Sequence, residues 1–512
     1  MTVAFAPYSN YGYIALRMQS DANPLTPNKY FRYINEKLTA NFGVQDINEI
    51  AGARDRYIRS IQGIVEMSGD IEFFAEEKSL GYWLAALYGA PDTDTASTGI
   101  YRHVFTVQDT DKVMTLDVNP ANAPWVFRFY GTHVSGLEFT KEDNAIKCKA
   151  TAMPTRAFIL AKATTNPASG TSLFADQVEG LTTADTILVI DKDDGVTTKA
   201  TLTLAGINTT TLELTTSTIG VQIDVGDYIV IKRATIDDGD YEDTTPFQFS
   251  NGSEVYTGAD IDNTVADPQE DFTLKLGAEL DPRVMSGRTE IARFPKEILL
   301  KGIMHEGSFT RFYNSQSNLA RLRSNEKIGV RMVMEGRTAL AANSAQKAGL
   351  TYGTSNGFSV EAATAGVAGA DLNLTITLNT TDDLAAVKSG NNITLKLATT
   401  TASKNTGTLI AAVLDALSGV DAAAEGTGAE QFTTAVDNYN FGYKGDAGDV
   451  VGLDASQKPY VSFDFADGKL QPFMPNSSED ENIVEEKPMK FYKDITKRFS
   501  ARITLVNATA SY

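Results

Sequence analysis

The sequence predicts a mainly β protein with a duplicated core, one short packing helix and two inserted small modules, one all-β and one α+β. Three observations predict it. Val65 to Phe73 alternates, with Val65, Met67, Gly69, Ile71 and Phe73 on one side and Glu66, Ser68, Asp70 and Glu72 on the other; a period of two marks a sheet with unlike faces. The composition of the chain changes abruptly over Ala163 to Arg233 and again over Gln346 to Val450, and after each interruption the pattern of the core strands resumes. A shift of 238 positions lays Gly69 on Gly307, Phe74 on Phe312, Ser79 on Ser317 and Leu84 on Leu322. The order of features is then the same twice: an alternating strand with a glycine, an aromatic exit, a Leu-containing helical segment.

Taken in order, Pro24 and Pro27 forbid a helix at the front and give an extended arm. The strand from Val65 follows. Leu80, Trp83, Leu84, Leu87 and Tyr88 then share one helical stripe, with Ser79 placed to cap its start and Gly89-Ala90-Pro91 to stop it. So short a helix must lie against an apolar surface, where Trp83 and Leu87 would pack on Met67, Ile71 and Phe73. "YRHVFTV", "WVFRFYGTHVSGLEFT" and "AIKCKATAM" read as further strands. The first interruption is Thr-rich, with Asp-Gly and Gly-Asp turns between short strands. The second combines "LNLTITLN" and "NNITLKLAT" with a helix carrying Leu409, Ile410, Val413, Leu414 and Leu417, closed by Gly419. The expected division is 1–162 and 236–345 plus 451–512 as two core domains, with 163–235 and 346–450 as inserts.

Composition narrows function. The 512 residues carry a formal net charge of −20, so ordinary nucleic-acid binding is excluded, while contact with DNA that must not stick stays open. The lone Cys148 allows no internal disulfide and sits on the apolar face of its strand as a small buried hydrophobe. The first residues lack the basic start and apolar run of a signal peptide, and no segment approaches the length of a membrane-spanning helix; the expectation is a soluble chain made in the cytoplasm.

Chemical motifs fail on inspection. "GTSNG" at Gly353 to Gly357 matches a nucleophile elbow, but a strand follows it, so Asn356-Gly357 reads as a hairpin turn. "DKDDG" at Asp191 to Gly195 opens like a calcium loop and lacks the distal Glu. His103, His133 and His305 have no partner at metal-ligand spacing. No cofactor, no metal and no catalytic constellation is expected; the chain reads as a structural assembly protein and not an enzyme.

The residues resemble a family. "ANPLTPNKYFRYI", "IVEMSGDIEFFAEEKSLGYWLAALYGAP", "YRHVFTV", "FYGTHVSGLEFT", "FTLKLGAELDPRVMSGRTEIARFPKEILLKGIMHEGSFTRFY" and "FSARITLVNA" are similar, in that order, to the major tail tube proteins of long non-contractile-tailed bacteriophages. The resemblance implies a β-sandwich or barrel core, rings whose sheets close around a lumen, and stacking of rings into the conduit for DNA during ejection. It implies as partners further copies of the chain, a tape measure protein, and tail terminator or baseplate proteins, with passing contact to DNA, no membrane insertion, and a place in the virion tail after assembly in the host cytoplasm. Glu66, Asp70, Glu72 and Glu306 would face the lumen as an acidic lining. A duplicated subunit needs three copies per ring, an unduplicated one six. Two other classes fit the composition: a surface adhesive or S-layer-like β protein, and a carbohydrate-active enzyme.

Overall fold

In the computed structural model of the chain, the described residues are 12–19, 23–41, 44–47, 59–62, 65–97, 100–108, 112–120, 123–236, 240–242, 245–249, 253–283, 295, 297–312, 317–336, 349–352, 356–363, 373–390, 392–424, 426–433, 436–440, 449–450, 458–473 and 484–512. Among them the fold is mainly β, with a few short helices. The core strands are β1 (Tyr13–Gln19), β2 (Glu66–Phe74), β3 (Ile100–Thr106), β4 (Val113–Asn119), β5 (Trp125–Glu142), β6 (Ala145–Phe158), β7 (Ser253–Gly258), β8 (Asp271–Arg283), β9 (Glu297–Phe312), β10 (Ile328–Glu335), β11 (Tyr460–Leu470), β12 (Val484–Tyr492) and β13 (Arg502–Asn507).

Their pairing falls into two sets wired alike. In the first, the order across the sheet is β1, β4, β5, β6, β2, every pair antiparallel. In the second it is β7, β10, β11, β12, β9, again all antiparallel. Helix α1 (Ser79–Tyr88) follows β2, and helix α2 (Ser317–Ser324) follows β9. The correspondence extends to irregularities. The β4–β5 register slips between Met114 and Leu116, and the β10–β11 register slips between Ile328 and Val330. Both slips place an extra residue in the longer partner, the mark of a β-bulge.

The sets are joined through β8. Gly136 to Thr140 of β5 pair with Thr273 to Gly277 of β8, and β8 pairs along its length with β9. The sheet then turns over at Asp467 to Leu470 of β11, which pair with β12. From there β11 runs to β13 and β3 in a second layer. Phe139 of β5 meets Phe463 of β11 with ring centroids 5.1 Å apart, across the space between layers. The core is therefore sandwich-like. Among the described residues no sheet is shown closed into a barrel, and the sandwich-like core is what the structure supports.

The helix α1 lies inside this sandwich. All ten of its residues are buried, not just one stripe. Phe73 stacks on Trp83 at 5.3 Å, and Tyr82 meets Tyr512 edge-on at 4.9 Å. Burying each such aromatic contributes roughly 1.5–3 kcal/mol, which outweighs the weak intrinsic stability of ten residues. Ser79 does not cap the helix. The N-cap is Lys78 with no side-chain bond, and the buried Ser79 hydroxyl has no partner. Gly89 does stop it, with φ of 96° and its N–H donating to the Ala85 carbonyl at 2.9 Å.

The two segments expected as inserts, 163–235 and 346–450, pack differently. The first contains the strands Gly170–Phe174, Thr186–Ile190, Thr198–Asn208, Glu213–Ile219 and Tyr228–Lys232. Its apolar core includes Leu173, Ile187, Leu214 and Ile229 together with Tyr13, Ala15, Val126 and Phe158 of the first strand set. The second insert has a core of its own, built from Phe358, Val360, Leu374, Ile376, Ile393, Leu395, Ile410 and Leu414. Its helix spans Gly407–Asp415, capped by Thr406, with Leu409 exposed. It rises from a neck where Glu335 pairs with Tyr460 and the Gly336 N–H donates to Pro459 at 2.7 Å.

Candidate functional site

The outward face of the first layer crosses six strands in the order β2, β6, β5, β8, β9, β12. Their registers place one row of side chains opposite each other: Glu72, Lys149, Glu138, Lys275, Glu306 and Lys490. Charge alternates at every step. Lys149 Nζ lies 3.1 Å from Glu138, Lys275 Nζ lies 3.2 Å from Glu138, and Lys490 Nζ lies 3.2 Å from Glu306. In the row below, Lys147 lies 3.3 Å from Glu72 and 3.2 Å from Glu142. In the row above, Thr151 Oγ1 donates to Asp70 Oδ1 at 2.7 Å. Over these three rows Asp70, Glu72, Glu138 and Glu306 alternate with Lys147, Lys149, Lys275 and Lys490, with Glu142 and Glu486 adjoining them.

Half-exposed pairs of this kind contribute only about 0–1 kcal/mol each. The ladder therefore matters less for stability than for the charge the face presents. Glu138 sits at its centre. Burial pulls its pKa up, but the hydrogen bonds from Lys149 and Lys275 more than offset this and hold it below the usual range. Between the charged positions the face carries Gly136, Thr140, Thr273, Gly277 and Ser308, with Phe74, Met304 and Tyr492 as exposed apolar side chains towards its margins.

The sequence-predicted residues fall as follows. Asp70, Glu72 and Glu306 lie on this face. The Glu66 side chain lies outside the described residues. Met67, Ile71, Phe73, Trp83 and Leu87 are buried between the layers. What sequence reading missed is the lysines. The sequence expectation named only carboxylates for a lining; on this face neighbouring strands interleave Lys147, Lys149, Lys275 and Lys490 among them. Each strand's own alternation already placed those lysines outward. Only the non-local register reveals that they adjoin acids.

The inward face is apolar, with Cys148 fully buried and its thiol pKa pushed well up by burial. His305 is buried there too, its Nδ1 3.5 Å from the Tyr88 hydroxyl, and burial lowers its pKa to about 4. The polar interior of the described residues includes several buried ion clusters, among them Asp267 with Arg311 at 2.6 Å and Lys487 at 2.8 Å, and two triads that bear on the strand sets. Arg128 of β5 binds Asp117 of β4 at 2.7 and 2.8 Å and Asp185 of the first insert at 2.6 and 3.0 Å. Asp464 of β11 binds Arg331 of β10 at 2.7 and 3.1 Å and Arg502 of β13 at 3.2 Å.

Of the motifs set aside in the sequence, Asp191 to Gly195 lies within the described residues, while Gly353, Thr354 and Ser355 lie outside them. Asp194 accepts from the Val196 and Thr197 N–H groups at 2.9 Å, tightening a hairpin turn at Gly195. The strands on either side of 353–357 pair as a hairpin, Tyr352 opposite Phe358. Among the described residues no group of three His, Cys, Asp or Glu side chains could hold a metal ion, and no helix is long and apolar enough to cross a membrane.

A model of the phage tail tube protein family matches residues 9–206. The match covers less than half of the chain. It takes in the whole first strand set and runs past Ala163 into the first insert. The chain therefore carries a tail-tube-family domain, whose family is structural and not catalytic. No curated protein matches the chain.

Proposed function

We propose that the chain is a tail tube subunit that polymerises into stacked rings and forms the conduit for DNA in a virion tail. The observation that carries the reading is the tail-tube match over residues 9–206 combined with a second strand set of the same connectivity in the same chain. On this reading the second set is a second tube domain, each chain supplies two sectors of the wall, and three chains complete a ring. The ladder face, continuous in register across both sets, lines the lumen. The inserts project from the wall, and the further partners are the tape measure protein and the tail terminator or baseplate proteins.

Electron microscopy of the purified chain tests the assembly, and mass measurement of single rings tests the count. Rings of three chains, stacked into tubes, are expected. Six chains per ring would overturn the duplicated-domain reading, and a protein that stays monomeric at every concentration and salt would overturn the tube itself.

A further inference from the structure

We propose that the cross-strand ladder holds the lysines of this face away from polyanions, so that a face carrying four lysines passes duplex DNA without binding it. The identity of what passes rests on the tube reading; the chemistry of the ladder does not.

A lysine retains DNA when its ammonium replaces a condensed counterion on a phosphate. Lys147, Lys149, Lys275 and Lys490 each lie 3.1–3.3 Å from a carboxylate. A phosphate must displace that carboxylate before it is held. The chain's net charge of −20 cannot do the same work, because screening over roughly 8 Å reduces distant charges at the wall to little. The partner at about 3 Å dominates. Glu138 is the keystone, serving Lys149 on one side and Lys275 on the other. The second of these bridges crosses from β5 to β8, the joint between the two strand sets.

The test uses the full chain in whatever state it assembles, with a short fluorescent DNA duplex at low salt. Glu138→Gln combined with Glu306→Gln strips the partners from Lys149, Lys275 and Lys490. Asp92→Asn combined with Glu326→Gln makes the same change in net charge at exposed positions off the ladder. The ladder variant is expected to gain at least about tenfold in DNA affinity, abolished by added salt, while the wild type and the control stay weak. A ladder variant that binds no better than wild type overturns the proposal, and so does a control that gains equally. If the double variant does not fold by circular dichroism, Glu306→Gln alone, which frees Lys490 at an exposed pair, decides by the same criterion. Micrographs of the same samples separate the two claims: tubes with no gain in binding overturn the ladder alone, and a gain in binding without tubes overturns the tube reading alone.

Discussion

In the first strand set Asp117 lies opposite Arg128; in the second, Arg331 lies opposite Asp464. The two pairs stand at the same step past the same bulge, with the signs exchanged. Each pair recruits a third group. The first takes Asp185 of the first insert, making acid–base–acid, and the second takes Arg502 of β13, making base–acid–base. The net charges differ in sign, and the carboxylates respond accordingly. Asp117 is raised by burial and by Asp185 against the pull of Arg128. Asp464 is lowered, because Arg331 and Arg502 together overcome burial. One scaffold thus selects different coverings by the charge left over at one buried position. The first set is closed by an insert, the second by the chain's own last strand.

The largest expected effect comes from removing a covering. Deleting 163–233 with a Gly-Ser joint uncovers Tyr13, Ala15, Val126 and Phe158 and leaves the Asp117–Arg128 pair without its third member. At roughly 1.5–3 kcal/mol per apolar side chain, the loss reaches about 5 kcal/mol or more, comparable to the whole stability of a domain. Little soluble protein should result. Deleting 346–450 removes a module whose core shares no residue with the sandwich, across a neck already closed by Gly336 and Pro459. That variant should stay soluble and keep its melting temperature within a few degrees. Expression and thermal melts of the two deletions check the contrast, and equal tolerance would show that the first insert is as separable as the second.

The triads allow a sharper break. Arg128→Met leaves Asp117 and Asp185 buried against each other and should cost about 3–5 kcal/mol in urea unfolding. The exchange Asp117→Arg with Arg128→Asp installs the second set's pair in the first. It should restore little, because Asp185 then faces a carboxylate. Adding Asp185→Arg should recover more than half of the loss. A double exchange as stable as wild type would show that the insert's charge plays no part in docking.

Some of this was legible in the sequence. The alternation at Val65 to Phe73, the helix after Ser79, the changes of composition and the shift relating Gly69 to Gly307 are local patterns, and local patterns survive without coordinates. The exchanged pairs were not legible. The shift is 238 for β2 and α1, but Asp117 to Arg331 is 214 and Arg128 to Asp464 is 336, since loops differ and an insert intervenes. No single offset finds them. The ladder was hidden for a related reason. Glu138 and Lys275 lie on strands far apart in sequence, and only register makes them neighbours. Ser79 failed as a cap because the packing of α1 decides its start, and the hydroxyl is buried inside the sandwich.

A third contrast lies at the inward position where the sets carry Met67 and His305, both buried. The buried imidazole titrates at about 4 in the folded chain, against about 6.5 when unfolded. The unfolded state therefore binds the proton first, and stability present above pH 6.5 is lost as pH falls towards 4. The whole window is worth roughly 3 kcal/mol. His305→Met, which copies the first set, should abolish that part of the acid sensitivity while leaving stability at pH 8 within about 1.5 kcal/mol. Unfolding midpoints across the window check it. An unchanged pH slope in the variant would place the sensitivity elsewhere.

The smallest expected effect separates the two helices. The third residue of α1 is Gly81, and the same place in α2 is Leu319. A Cβ at Gly81 would meet the Tyr512 ring at 2.0 Å, so the glycine leaves room for that ring over the helix. Tyr512 is held there by His103 at 4.8 Å and by the hydroxyl contact with Asn507. Gly81→Ala removes a helix-weakening glycine, a gain of about 1 kcal/mol, but forces the tyrosine off its seat at a cost of about 1–3 kcal/mol. The net is a loss of up to about 2 kcal/mol. If the clash is the cause, truncating Tyr512 in the Gly81→Ala background should cost much less than truncating it in wild type, because the seat is already lost. Urea midpoints of the four proteins give the coupling directly. Additive losses would mean that Tyr512 and Gly81 do not share the contact, and that α1 is covered in some other way.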